Sequence, residues 1–411
     1  GSFDAMPEEI KKIIVNSHMS DNAVYLSDIE NGFINGTEDS ILLNRADIVQ
    51  KSFGSNCTFL GLDKTIVPRA FKSIARPMYL SRNFQIMLFA VEETKILNAM
   101  KRPGRDYAFY LPRDAGIGYA GDSSLVKMEN PLTERIYFEA FDMSQESWQK
   151  IDLNDLRKKI LNQIAITRPT GIADKEFIRN LGGNYIIVNN AEGSVRGSKP
   201  TTFGFNGDSL ITIEPILYDE ETDNGDVYIV DNFFNYQGGA SYYGMFLSEH
   251  DKFFNLLSKA GLYDKVYYNY PFLVEGQYYT VFVPSDEALE SYGVDTLSKK
   301  DLAEFLKYHF VKEKLIFTDG SEPAGFYETT LKDESSTAYI TRYSELNINP
   351  EPDVIKILDK NGNVYLEVPE EEGKTNKMIF YDPNDESQSP WDYTTTGVVH
   401  VIDKVLISDS L

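Results

Sequence analysis

YTVFVPSDEAL, Tyr279–Leu289, is the stretch that decides the fold. Its first half is β-branched and aromatic, the composition of a buried strand, and Pro284 closes that strand because proline has no N–H to give to a ladder. Ser285 is placed to cap a helix whose first turn holds Asp286 and Glu287, carboxylates that the positive end of the helix dipole favours. Strand, corner and helix are therefore written in one short run, and each feature already has an architectural reason to be there.

Outward from this run, YAFYLPRDAGI at Tyr107–Ile117 is a weaker copy, again an apolar strand closed by a proline and an Asp. A second motif occurs three times, as TFLGLDKTIV from Thr58, DVYIVDNFF from Asp226 and VVHVIDKVLI from Val398. Each is an apolar strand with an Asp near its centre: Asp63, Asp231 and Asp403. Asp231 lies 168 residues after Asp63, and Asp403 lies 172 after Asp231. Asp286 lies 172 after Asp114 in the first motif. Two motifs sharing one period signal an internal repeat. A carboxylate inside a buried strand needs backbone donors or a cation, and backbone bonding is the expected solution for these three.

A third marker is helical. Leu302, Phe305, Leu306, His309 and Phe310 follow the 3.6-residue period, and Ile10, Ile13, Ile14, Ser17 and His18 reproduce the spacing. In the middle repeat Gln163 stands where the others have His, and a long insertion runs from Ile117 to Trp148. The distance from Asp286 to His309, applied to His18, puts the first repeat's opening strand before residue 1.

These residues resemble the fasciclin (FAS1) domain family. TVFVPSDEAL is similar to its first signature, Tyr308–His309 to its central Tyr-His pair, and GVVHVIDKVL from Gly397 to its second signature. The resemblance implies an α+β fold: tandem fasciclin domains, each a mainly antiparallel β-sandwich or wedge with flanking helices. The expected division is a partial domain at 1–79, a divergent domain with the long insert at 80–240, and a third domain at 241–411. The family also implies a non-enzymatic, extracellular role in adhesion to proteins or polysaccharides. The style of the inserts resembles lipoproteins on the outer membrane of Gram-negative bacteria, with any signal peptide or lipid anchor expected upstream, since Gly1 and Ser2 look like a cloning remnant.

Composition narrows the function further. The 411 residues carry a formal net charge of -23, which repels phosphate backbones and argues against nucleic acid as a partner. The one cysteine, Cys57, leaves neither an intrachain disulfide nor a thiolate cluster for zinc. No apolar run reaches the length of a membrane span. The histidines lack ligand spacing, the acidic YDEETDNGD from Tyr218 lacks the alternation of a calcium loop, and no nucleophile-elbow, phosphate-loop or dinucleotide motif occurs, so neither metal nor cofactor is expected. Two N-x-[ST] triplets, at Asn35 and Asn56, are of the kind chance produces.

Candidate partner-binding residues are the exposed aromatics and the family's central pair: Tyr308, His309, Trp391, Tyr393 and Trp148. Aromatics on loops offer large contact area at small entropic cost. His309 lies on the apolar face of its helix, where packing is its more natural role, whereas Tyr308 sits off that stripe. Pro284, Ser285, Asp286, Asp63, Asp231 and Asp403 are structural motif positions. Two other functions are consistent with the sequence. A structural spacer or assembly subunit would bury large apolar interdomain contacts around Pro68–Tyr79 and Asn235–Met245 and would self-associate, and a hydrolase hidden in the inserts would need a pocket with two close carboxylates. Without its opening strand, the first repeat is expected to show an unpaired edge or apolar slot near Cys57–Val67.

Overall fold

In a computed structural model, the described residues are 3–112, 114, 125–129, 136–142, 147–198, 211–212, 214–215, 222–230, 233–234, 251–264, 270–274, 276–337, 339–379 and 396–408. They form two compact lobes. The N-terminal lobe comprises Gly1–Arg168, Arg179–Gly183 and Ile211–Phe234, and the C-terminal lobe Pro169–Ile178, Asn184–Leu210 and Asn235–Leu411. Each combines helices with sheet, so the class is α+β.

In the C-terminal lobe eight strands make one curled sheet. Their spatial order is Val364–Pro369, Val354–Leu358, Tyr343–Glu351, Gly325–Lys332, Phe310–Lys312, Tyr278–Pro284, Thr396–Ile402 and Lys377–Ile379. The sheet is antiparallel except at one place. The opening strand Tyr278–Pro284 and the closing strand Thr396–Ile402 run parallel, with Tyr278 opposite Thr396 and Pro284 opposite Ile402. One face of the opening strand gives Val281 and Val283 to a core shared with Phe253, Leu257, Leu302 and Phe305 of the helices Asp251–Ala260 and Lys299–Tyr308. The other gives Phe282 to a core with Ile348, Ile355 and Ile402 inside the sheet. A strand buried on both faces has no polar side to alternate with, which is why its sequence is continuously apolar.

The N-terminal lobe carries the same four-strand kernel. Glu214–Pro215, Gly225–Val230, Tyr107–Pro112 and Ile164–Ala165 lie side by side in that order. Opening strand Tyr107–Pro112 and closing strand Gly225–Val230 are again parallel, Tyr107 opposite Gly225 and Pro112 opposite Val230. The paired residues are 118 apart in both lobes, and the antiparallel neighbour matches too, Phe109 opposite Ile164 and Val281 opposite Phe310. The sequence repeat is thus a repeat of geometry. At Gly225, with φ +148, a Cβ would fall 2.1 Å from the Tyr107 carbonyl oxygen, so the strands approach this closely only through a glycine.

The insertion of the middle repeat contributes a three-stranded antiparallel meander, Leu125–Glu129, Ile136–Asp142 and Ser147–Ile151. In the first repeat, Ile48–Phe53 and Thr58–Leu62 form a two-stranded antiparallel hairpin. Ala70, Ile74, Met78 and Tyr79 join the main core of the N-terminal lobe with Met87, Leu88 and Val91; Asn235–Met245 lies outside the described residues.

One reading is corrected here and another gains a structural reason. Asp63 and Asp403 are not inside their strands but one residue past the ends, Leu62 and Ile402, and both are exposed. The chain is leaving the sheet at that point, so the carboxylate is solvated and needs no partner; Asp231 lies outside the described residues. The triplet at Asn35 is closed to modification, because its side chain is buried and its Nδ2 donates to the Ser17 carbonyl at 2.9 Å.

The first repeat is fastened to the lobe by a buried ion pair, Lys101 Nζ to Asp39 Oδ1 at 2.7 Å, with side chains 5% and 4% exposed. The other carboxylate oxygen accepts from the Arg69 N–H at 3.1 Å and the Thr37 hydroxyl at 2.9 Å. Truncating Lys101 to Ala would strand a buried charge, a change that costs about 3–5 kcal/mol. Urea unfolding of Lys101→Ala should show a loss of that size, against less than about 0.5 kcal/mol for an exposed surface substitution such as Lys300→Ala.

Candidate functional site

The residue that ends the amphipathic helix is the hub of each repeat. His309 is the C-cap of Lys299–Tyr308 and is completely buried. Its carbonyl accepts from Phe282 N of the opening strand at 3.0 Å, and its Nε2 accepts from Leu406 N, just beyond the closing strand, at 3.0 Å. A backbone N–H can only donate, so Nε2 is unprotonated; the proton is on Nδ1, which donates to the Phe305 carbonyl at 2.9 Å. One residue, through its carbonyl and its imidazole, thereby ties helix, opening strand and closing segment together.

Gln163 does the same with an amide. Its carbonyl accepts from Tyr110 N at 2.9 Å, its Oε1 accepts from Phe234 N at 2.8 Å, and its Nε2 donates to the Tyr110 carbonyl at 2.9 Å. Tyr110 and Phe234 are each 172 residues before Phe282 and Leu406. In the first repeat His18 Nε2 accepts from Ile66 N at 3.0 Å while Nδ1 faces the Ile14 carbonyl at 2.8 Å. Ile66, Phe234 and Leu406 each follow their motif Asp by three residues. The three repeats share this latch, and His18 corresponds to His309 one residue later than the face spacing of the helix suggests.

His309 is therefore not a partner contact, correcting the expectation drawn from the family's Tyr-His pair: its polar atoms are spent internally. Tyr308 is half-buried; it packs beside the core within the sheet, and its hydroxyl donates to the Glu345 carbonyl at 3.1 Å. Trp148 is 39% exposed on the meander, opposite Phe141, while Trp391 and Tyr393 lie outside the described residues. At the corner, Ser285 caps its helix by accepting from Ala288 N at 3.2 Å, as the sequence predicts. Asp114, its neighbour's counterpart in the middle repeat, points inward: its carboxylate accepts from Ile86 N at 2.9 Å and Met87 N at 3.2 Å, at the start of the helix Gln85–Glu93, and burial pushes its pKa up against those bonds.

The concave feature that the sequence does not announce is a cleft of about 500 Å³ in the C-terminal lobe. Its walls include Phe272, Tyr279 and Tyr343, and its charged groups are Lys307, Lys312, Lys332 and Glu313. The lining thus holds three cations and one carboxylate, with Glu328 paired to Lys312 beside it, a cationic excess in a chain of charge -23. Lys312 lies 3.6 Å from the Tyr343 ring centroid and 2.6 Å from Glu328; burial alone would lower its pKa, but Glu328 and Glu313 outweigh burial and hold it above the ordinary value. The cleft thus offers fixed positive charge beside aromatic surface. The lysines come from separate strands and a helix end, and no sequence spacing links them.

Comparison with known proteins supports the family reading. The family model described as the fasciclin domain matches residues 248–368. No curated protein matches the sequence. Among solved structures the chain is similar to a FAS1 domain pair from the insect cell adhesion molecule fasciclin I, at 15% identity, covering 63% of this chain and 82% of that one with a TM-score of 0.25. On the family-model match alone, residues 248–368 are fasciclin-like, of a family known from cell-adhesion proteins and typically found outside the cell or on its surface. No helix among the described residues is long and apolar enough to cross a membrane.

The latch has a pH signature. Burial holds His309 down at about 4, with the Phe305 carbonyl working in the opposite direction. His400, whose Nε2 meets the Ile316 carbonyl at 2.9 Å, is likewise held at about 4 by burial. Between 6.5 and about 4 the unfolded chain takes up protons that the folded one refuses. Stability is therefore full above this window and falls as pH drops through it, by up to about 3 kcal/mol per imidazole. Urea midpoints measured across the window should follow that slope, and His309→Gln should flatten it. At pH 7.5 His309→Gln should lose under half of the roughly 2–4 kcal/mol expected for His309→Ala, because Gln163 already performs the task in the middle repeat.

Proposed function

We propose that this chain is a non-enzymatic, extracellular binding protein of the adhesion kind, built from a partial fasciclin-like repeat at 1–79 and two whole ones at 80–240 and 241–411. Its C-terminal cleft takes an acidic polysaccharide. The lysine-lined, tyrosine-walled cleft in an otherwise acidic molecule is the observation that carries this reading: ammonium groups pair with sugar carboxylates, and aromatic rings cover the apolar faces of sugars. The net negative charge of the chain discourages unspecific contact with polyanions. Trp148 on the meander is a second contact candidate, and repetition of weak contacts along an array would raise their combined strength.

Hydrolysis is less well supported. The two-carboxylate arrangement of glycosidases is not met by the lining residues, which include only Glu313 as a carboxylate. The spacer reading draws on the buried Lys101–Asp39 pair and the Ala70–Tyr79 packing, which make the partial repeat one body with the N-terminal lobe.

Purified protein should bind immobilised polyuronate and not a neutral glucan, with binding falling steeply as salt rises. Lys307→Glu combined with Lys332→Glu should weaken it at least tenfold while leaving the circular dichroism spectrum unchanged. Equal binding to both polymers, or silence toward polyuronate with an intact fold, would remove the basis for an acidic ligand.

A further inference from the structure

We infer that Glu313 is the specificity residue of the C-terminal cleft, selecting uronates with free hydroxyls over sulfated sugars. The inference rests on the reading of the cleft as an acidic-polysaccharide site, and it names which acidic polysaccharide the cleft takes. Glu313 is held in a backbone conformation that suits glycine: its φ is +64, in the left-handed region, where a Cβ crowds the following carbonyl. The surrounding sheet dictates that conformation, since Glu313 N donates to the Tyr278 carbonyl at 2.6 Å and Thr280 Oγ1 donates to the Lys314 carbonyl at 2.9 Å.

Glycine would meet the same backbone demand without strain, so the backbone gives no reason for a glutamate here. Packing gives none either. The side chain is 61% exposed, and its contact with Lys312, Oε1 to Nζ at 3.7 Å, falls on a lysine that Glu328 already pairs at 2.6 Å. What the glutamate adds is a carboxylate in a cleft whose other charged lining groups are lysines. Backbone strain at a residue that lines a cleft, with no folding role to account for it, points to binding.

The lysines divide into two kinds. Lys312 is occupied by Glu328 and lies 3.6 Å from the Tyr343 ring centroid, whereas Lys307 and Lys332 have no carboxylate partner among the described residues. The Thr330 hydroxyl donates to the Lys307 carbonyl at 2.8 Å, which fixes the helix end against the strand that carries Lys332. These two ammonium groups are the seat for a ligand carboxylate. Glu313 asks for something else: an ionised carboxylate only accepts hydrogen bonds, so it pairs with sugar hydroxyls. A uronate supplies both, a carboxylate for the free lysines and unsubstituted hydroxyls for Glu313. On a sulfated sugar a sulfate ester replaces the hydroxyl, has no proton to donate, and brings like charge to Glu313. Lysines alone would favour the sulfated polymer as the denser anion, and the one carboxylate among them reverses that order by repulsion.

The test compares the full chain and its Glu313→Gln variant on immobilised polyuronate and on dextran sulfate at one ionic strength. The unaltered protein should prefer polyuronate, and Glu313→Gln should lower the ratio of the two affinities at least tenfold, chiefly by gaining dextran sulfate. Glu313→Gly should shift the ratio the same way, with a urea midpoint no lower than that of the unaltered chain, because the strain it relieves offsets the contact it removes. Three outcomes would overturn the proposal: a ratio unchanged in Glu313→Gln, a preference of the unaltered chain for dextran sulfate, or a lower urea midpoint in Glu313→Gly, which would make the glutamate a structural residue. Silence of the unaltered chain toward both polymers is a different failure: it would remove the acidic-ligand reading of the cleft, and this proposal with it.

Discussion

The fold depends on a hydrogen bond accepted by a side chain at the end of a helix. In a sheet whose opening and closing strands are neighbours but lie 118 residues apart in sequence, something must hold the closing segment against the helix layer. A carbonyl cannot do it alone, because the helix end has one acceptor directed at the opening strand. The side chain at the C-cap adds a second, directed at the N–H beyond the closing strand. The chemistry demands a group with an acceptor and a donor at fixed separation, and at His309 and Gln163 that group is fully buried. Neutral imidazole and carboxamide both satisfy it and a charged imidazolium does not, which accounts for Gln163 at the corresponding place; burial, for its part, holds the His309 pKa down.

What the sequence reveals follows from how local each feature is. The strand, proline and cap of Tyr278–Tyr292 are legible because adjacent residues determine them, and the repeat is legible because two such motifs recur at one spacing. The latch is half legible: the helix shows the position of His309, but its partner Leu406 is 97 residues away and contributes only a backbone N–H, which leaves no mark on residue identity. The location of Asp63 and Asp403 turns on where a strand ends, a boundary that a run of apolar residues does not define.

The cleft was not legible for a related reason. Lys307, Lys312 and Lys332 sit on a helix end and two strands, and they converge only because the sheet curls. Residues 169–178 and 184–198 teach the same lesson. They precede the third repeat in sequence, yet Phe177 stacks on Phe317 with ring centroids 4.6 Å apart, and Phe177 N donates to Asp319 Oδ2 at 3.0 Å. Burial raises the Asp319 pKa, and the N–H donors it gathers partly offset this. Stacking of that kind needs no periodicity and gives none.

The first repeat shows which parts of the design are separable. A two-stranded hairpin is marginal by itself in water, and Phe53, Phe59 and Val49 are all exposed on this one. It is nevertheless held at its open end: Asp63 N donates to the Asp47 carbonyl at 3.0 Å, and Ile66 N reaches His18. Behind it, the Lys101–Asp39 pair anchors the intervening loop to the lobe. With the latch closed, the direction and register of Thr58–Leu62 are fixed by contacts of the chain around it rather than by a wide sheet of its own.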